Sequence, residues 1–151
     1  MRFDYLPQES DPLPGEQGTQ ILSRPVIVVR AIWPAGAWLI PGLVDTGATE
    51  TLLPLSYMAR LGVPRGDRIE LAGAGGHLIP AWLSEVDLDL TRGRTLYRWS
   101  ARVAFVARRD EALWGHEGFL NHFTATFDGL RKRLTLRLNG TFRRGLPRTS
   151  P

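Results

Sequence analysis

Val86-Asp87-Leu88-Asp89-Leu90 alternates apolar and acidic residues without a break. That period of two puts the apolar side chains on one face of an extended strand and the carboxylates on the other. A segment of this kind asks for a sheet with one wet face, and the rest of the chain repeats the demand in short pieces. Val26-Ile27-Val28-Val29 is a β-branched run, Pro34-Ala35-Gly36 is turn chemistry, and 38–44 is a second apolar run, which together read as a β-hairpin. Residues 68–71 form the next strand, ahead of a turn rich in glycine, and 95–106 is a long strand across the turn at Arg92-Gly93. Segments 124–127 and 134–138 flank Asp128-Gly129, a dipeptide that favours tight hairpins. Pro54 suits the first position of a short helix over 55–61 that Gly62 and Pro64 close, and 119–123 reads as a second short helical piece. Short strands, closely spaced turns and one or two small helices predict an all-β barrel or sandwich.

At 151 residues and 43% apolar content the chain supports one core and not two independent domains. Residues 1–24 carry Pro7, Pro12, Pro14, Gly15 and Gly18 among polar neighbours with no apolar period, so an extended or mobile arm is expected there. The folded domain is expected over 25–140, with a basic tail over 141–151. No apolar run reaches the roughly 18 residues that cross a bilayer, and Met1-Arg2-Phe3-Asp4 opens no apolar signal segment. A soluble, cytoplasmic protein is the expectation, and the absence of cysteine fits it while excluding disulfides and thiolate metal sites. The net charge of +4 raises the question of nucleic acid. Its basic residues gather at Arg131, Lys132, Arg133, Arg137, Arg143, Arg144 and Arg148 with no interleaved aromatic platform on which bases would stack, so no nucleic-acid partner is expected.

Asp45 follows the apolar pair Leu43-Val44 and precedes Thr46 and Gly47, so a carboxylate is delivered from a strand end into a tight loop. An isolated Asp-Thr-Gly is ordinarily a turn whose aspartate caps its own backbone. The longer segment Gly42-Leu43-Val44-Asp45-Thr46-Gly47-Ala48-Thr49-Glu50-Thr51-Leu52-Leu53, however, resembles type for type the active-site segment of retropepsin-like (retroviral-type) aspartic proteases, in a single-domain, bacterial-type form. Ile69-Glu70-Leu71-Ala72-Gly73-Ala74-Gly75-Gly76 is similar to the glycine-rich flap of that family. Leu113-Trp114-Gly115-His116-Glu117-Gly118-Phe119-Leu120 is similar to the apolar-Gly segment that packs behind the catalytic loop. The resemblance spans about 26–138. It departs in the third segment, where the family has an arginine and an aspartate or asparagine after the glycine and this chain has His116, Glu117 and an additional Gly118.

The resemblance implies a retropepsin-like acid-protease barrel, one lobe per chain, with Asp45 catalytic. It also implies Thr46, Gly47 and Ala48 in the catalytic loop, Gly73, Ala74, Gly75 and Gly76 in the flap, and Trp114 and Gly115 in support. Peptide hydrolysis by an activated water needs one carboxylate to take the water's proton and a second carboxyl group to protonate the amide oxygen. With one Asp-Thr-Gly per chain the second must come from another copy, so a homodimer with a peptide or protein substrate is expected, and no cofactor. In that arrangement the Thr46 hydroxyl would bond the opposite loop, Gly47 would permit close backbone approach, and Ala48, Val44 and Trp114 would limit solvent access. The hairpin over 124–138 and part of the amino-terminal arm are candidate interface strands.

His116-Glu117 begins like a His-Glu-x-x-His zinc motif, but position 120 is leucine. His77, His116 and His122 therefore read as surface or satisfied histidines, with no metal expected. The tryptophans at 33, 38, 82, 99 and 114 read as core and interface. The competing functional reading is a non-catalytic retropepsin-like module that dimerises and binds an extended peptide. A buried acid beside its twin is costly for a module that only binds, which favours cleavage.

Overall fold

The computed structural model describes residues 1–140 apart from Leu13, Glu16, Ala74, Gly75 and Arg108, so the expected basic tail over 141–151 lies outside the described residues. Strand β1 (Arg2–Asp4) is followed by β2 (Leu6–Ser10) and β3 (Gln20–Arg24). The hairpin read from the two apolar runs is β4 (Val26–Trp33) and β5 (Gly36–Val44), in register from Val26 opposite Leu43 to Trp33 opposite Gly36. Next come β6 (Leu52–Pro54), helix α1 (Leu55–Leu61), β7 (Arg68–Ala72) and the long β8 (Leu78–Arg92) and β9 (Thr95–Val106). The chain ends in β10 (Ala112–Trp114), a 3-10 turn over Leu120–His122, β11 (Phe123–Asp128) and β12 (Arg133–Leu138).

Six strands close into a barrel in the order β4-β5-β10-β6-β9-β8, because β4 also pairs with β8; β7 hangs on the far side of β8. Closure removes exposed edges from the ring. Its 15-residue β8 makes this possible by pairing with β7 near its start, with β9 along most of its length and with β4 at Asp87, Leu88 and Asp89. The expected all-β barrel with one or two short helices is thus what the chain forms. Pro54 sits one position earlier than expected, as the cap of α1, and Gly62 ends the helix at φ 71, a conformation glycine adopts without strain.

The interior is filled by Val29, Ile40, Leu53, Leu61, Leu88, Phe105, Leu134 and Leu136, all fully buried, each contributing roughly 1.5–3 kcal/mol by burial. On β9, Val103 and Phe105 face this core while Ala104 and Val106 face a smaller cluster with Ala81, Leu52, Ile69, Leu71 and Ile79 under the β7–β8 hairpin. Trp99 and Trp114 are core, whereas Trp38 is 41% exposed beneath the Arg60 guanidinium, 5.2 Å from its ring.

Two local expectations are revised and a third region gains detail. Asp89, placed by alternation on a wet face, is only 2% exposed: Arg30 donates to both of its oxygens from Nε at 3.0 Å and Arg98 adds a bond at 3.1 Å, so two arginines from neighbouring strands cover it. The last hairpin does not turn on Asp128-Gly129 alone. Asp128 pairs with Arg133, leaving a four-residue loop in which the Asp128 carboxylate accepts the Arg131 main-chain N–H and Lys132 takes the left-handed φ of 48. Residues 1–24, read as an extended or mobile arm, carry three strands. β1 joins β12 and β11 in a separate sheet, and β2 pairs with β3 in a hairpin that leaves Ile21 62% exposed. β1 carries a short apolar period after all, since Met1, Phe3 and Tyr5 alternate with Arg2 and Asp4 and pack against the core, whereas β2 and β3 are held by main-chain pairing without such a pattern. No helix among the described residues is long and apolar enough to cross a membrane.

Candidate functional site

β5 carries the chain through the core to Val44, whose N–H donates to Pro25 O at 2.9 Å, and the next residue, Asp45, emerges half-buried with its N–H donating to Trp114 O at 3.1 Å. Here β5 and β10 run parallel, with Leu43 opposite Leu113 and Val44 opposite Trp114, and β6 lies on the other side of β10. The loop between β5 and β6 therefore has to climb over the end of β10. Residues after β10 follow it closely. His116 N–H donates to Ala48 O at 2.9 Å, Glu117 N–H to Thr49 O at 2.8 Å, and Thr51 N–H to Glu117 O at 3.0 Å. Thr51, fully buried, accepts the Gly115 N–H with its hydroxyl at 3.3 Å.

The tip is built differently. Thr46 and Gly47 are exposed, and the Gly47 N–H donates to Asp45 Oδ1 at 2.8 Å, closing a turn of the aspartate on its own backbone. No cation lies within ion-pair distance of Asp45 among the described residues. The imidazole of His116 reaches the tip as well, with Nε2 2.9 Å from Thr46 O. One oxygen of Glu50 is buried without a hydrogen-bond partner among the described residues.

Two glycines fit the support to the loop. A Cβ on Gly115 would overlap the Glu50 carbonyl and come 2.8 Å from Ala48 O, and one on Gly42 would come 2.7 Å from the Trp114 indole nitrogen. Trp114 is fully buried, donates from that nitrogen to Ile27 O at 3.3 Å, and packs at a tilt against Phe119 with ring centres 5.7 Å apart, and Phe119 in turn packs at a tilt against Phe123 at 5.1 Å. An aromatic column thus backs the loop and fixes its height relative to the barrel.

Of the residues singled out in the sequence, Asp45, Thr46, Gly47, Ala48, Trp114 and Gly115 come together in this clamp. Gly73 and Gly76 lie at the end of the β7–β8 hairpin, where Gly73 N–H donates to His77 O at 2.9 Å and Gly76, at φ 79, donates to Gly73 O at 3.0 Å. Ala74 and Gly75 lie outside the described residues. Thr51 and Gly42 belong to the matched segment, but their roles needed the fold: a buried hydroxyl and a glycine facing an indole are recognisable only once β10 is in place. His116, read as a surface or satisfied histidine, is exposed and bonded to the loop. Among the described residues no group of three or more His, Cys, Asp and Glu side chains could hold a metal ion.

No protein-family model matches the sequence, and no curated protein matches it. Among solved structures, the chain is similar to EIAV protease complexed with the inhibitor HBY-793, with a TM-score of 0.43 and 18% identity over 62% of this chain and 83% of that one. At that score the likeness carries no functional argument, and the site has to be judged on its own geometry.

Proposed function

We propose that the chain is one half of a homodimeric aspartic endopeptidase in which Asp45 from two copies activates the attacking water. The observation that carries this reading is a half-buried carboxylate, without a cationic partner among the described residues, on a loop clamped at its base and exposed at Thr46 and Gly47. A carboxylate with no counter-charge beside it leaves room for a second carboxyl group brought up by another copy. Two such loops meeting at a two-fold axis place two carboxyl groups side by side; like charges that close share one proton, so one member serves as base and the other as acid. Thr46 would bond across the axis, and the β7–β8 hairpin with Gly73, Ala74, Gly75 and Gly76 would cover an extended peptide. The sheet formed by β1, β12 and β11 is the candidate for further contacts between copies.

Asp45→Asn tests the reading. It keeps the size of the side chain and its acceptor oxygen but removes the proton-transfer group, so cleavage of a peptide library should fall by at least about a thousandfold with an unchanged circular dichroism spectrum. Cleavage near the wild-type rate would sink the proposal, and peptide binding without cleavage by the wild type would point instead to the non-catalytic module. Specific activity should also fall on dilution in step with loss of the dimer in sedimentation. A monomer that cleaves at full rate would contradict the shared dyad.

A further inference from the structure

Thr46 C=O and Gly47 N–H belong to one planar trans peptide, so fixing the direction of the first fixes that of the second. The carbonyl faces His116 Nε2 at 2.9 Å, and the N–H, pointing the opposite way within the same plane, donates to Asp45 Oδ1 at 2.8 Å. A carbonyl oxygen only accepts, so Nε2 carries the proton, whether the ring is neutral or an imidazolium. His116 is itself anchored through its own N–H to Ala48 O, 2.9 Å away, and the preceding Gly115 has no room for a side chain. The imidazole and the main chain of one residue therefore hold the loop on both sides of Gly47.

We propose that His116 is a positioning residue for Asp45: its imidazole holds the Thr46–Gly47 peptide plane, and that plane aims the Gly47 N–H at the carboxylate. The chain of donors runs from imidazole to peptide to carboxylate, and each bond polarises the next. Without the imidazole the peptide plane loses the side-chain restraint on its carbonyl while the main-chain bond to Ala48 O remains, so the Gly47 N–H spends less time on Oδ1 and the carboxylate is oriented less tightly. The catalytic consequence rests on the protease reading; the effect on the Gly47 amide does not.

Three variants separate this role from a merely structural one. The amide nitrogen of glutamine lies about as far along the side chain as Nε2, whereas that of asparagine stops near Nδ1, so His116→Gln should keep the bond and His116→Asn and His116→Ala should lose it. Nuclear magnetic resonance on the full chain reads the Gly47 amide directly. In the Ala and Asn variants its proton should shift upfield and exchange roughly tenfold faster, while the amides of Val29 and Leu88 in the core stay as they are; in the Gln variant Gly47 should behave as in the wild type. Where peptide cleavage is measured, kcat should drop by roughly five- to tenfold in the Ala and Asn variants with KM nearly unchanged, and recover with Gln. A Gly47 amide that does not respond to His116→Ala overturns the proposal, as does a loss that appears only in KM. If the Ala variant does not fold, the Gln and Asn pair decides: equal behaviour of the two at Gly47 overturns it. Should the wild type cleave no peptide, the protease reading fails while the Gly47 amide still decides the role of His116.

Discussion

Two aspartates in this chain close a turn on their own backbone, and they end in opposite situations. Asp45 accepts the Gly47 N–H at 2.8 Å and Asp128 accepts the Arg131 N–H at 2.9 Å, so the local chemistry is nearly the same. Asp128 lies at the end of the β11–β12 hairpin and is also paired with the Arg131 guanidinium at 3.0 Å. The Arg131 main-chain N–H, and then its side chain, hold the Asp128 carboxyl below the usual carboxylate range. Asp45 has no such cation among the described residues and stands on a loop locked from below by the residues following β10. The turn alone does not make a site; the difference lies in what braces the loop and in which charges are kept away.

The sharpest way to break the comparison is to neutralise each carboxylate. Asp45→Asn should abolish cleavage, while Asp128→Asn, compared at a concentration where sedimentation shows the dimer intact because β11 belongs to the sheet proposed for contacts between copies, should leave kcat/KM within about twofold of wild type, since partly exposed positions away from the chemistry change little. Equal losses would mean that the two turns are equivalent and the Asp45 reading is wrong.

The glycines of the two regions give the next largest contrast. An added Cβ at Gly115 meets main-chain atoms of Glu50 and Ala48 that cannot swing aside, whereas nothing lies within 4 Å of one at Gly129. Gly115→Ala should cost about 2–3 kcal/mol in urea unfolding, and Gly129→Ala should be neutral or stabilising by up to about 0.5 kcal/mol. Similar values for the two would show that the clamp is looser than its geometry.

His122 lies in the 3-10 turn between the clamp and β11. Burial lowers its pKa from 6.5, with Glu117 acting in the opposite direction. The unfolded chain then binds the proton at a higher pH than the folded one, so stability should fall as pH drops from about 6.5 through the depressed folded value. His122→Gln should flatten urea midpoints between pH 5 and 7. A wild-type midpoint that holds steady across that window would refute it.

The smallest effect belongs to Asp128. Its carboxyl is depressed when folded, so its contribution is present above the unfolded pKa and is lost as pH falls through the folded one. Asp128→Asn should remove a slight part of the acid limb below about pH 4 in thermal melts, because the group is partly exposed and its charge is screened.

Local pattern was enough to expose much of the fold. β-branched runs and turn residues marked the β4–β5 hairpin, 95–106 matched β9 end for end, and Gly62 marked the stop of α1. The candidate site was proposed from the resemblance of the contiguous segment Gly42 to Leu53, since Asp-Thr-Gly by its local pattern reads only as a turn. Side-chain period and turn chemistry act over a few residues, which is the range a sequence displays directly. Pairing between distant segments decided the rest. Strand β8 begins at Leu78 and not at Val86, since Pro80 and Trp82 take their places opposite Glu70 and Arg68 on β7. Asp89 is covered because the β4–β8 pairing brings Arg30 across from it, and Arg98 on β9 closes the other side. His116 reads in the sequence as a surface or satisfied histidine, with nothing to say what satisfies it; it reaches the Asp45 loop because β10 runs parallel to β5 and carries the residue after Gly115 to within 2.9 Å of Thr46 O. Seventy positions separate those two residues, and only closure of the barrel supplies a reason for them to meet.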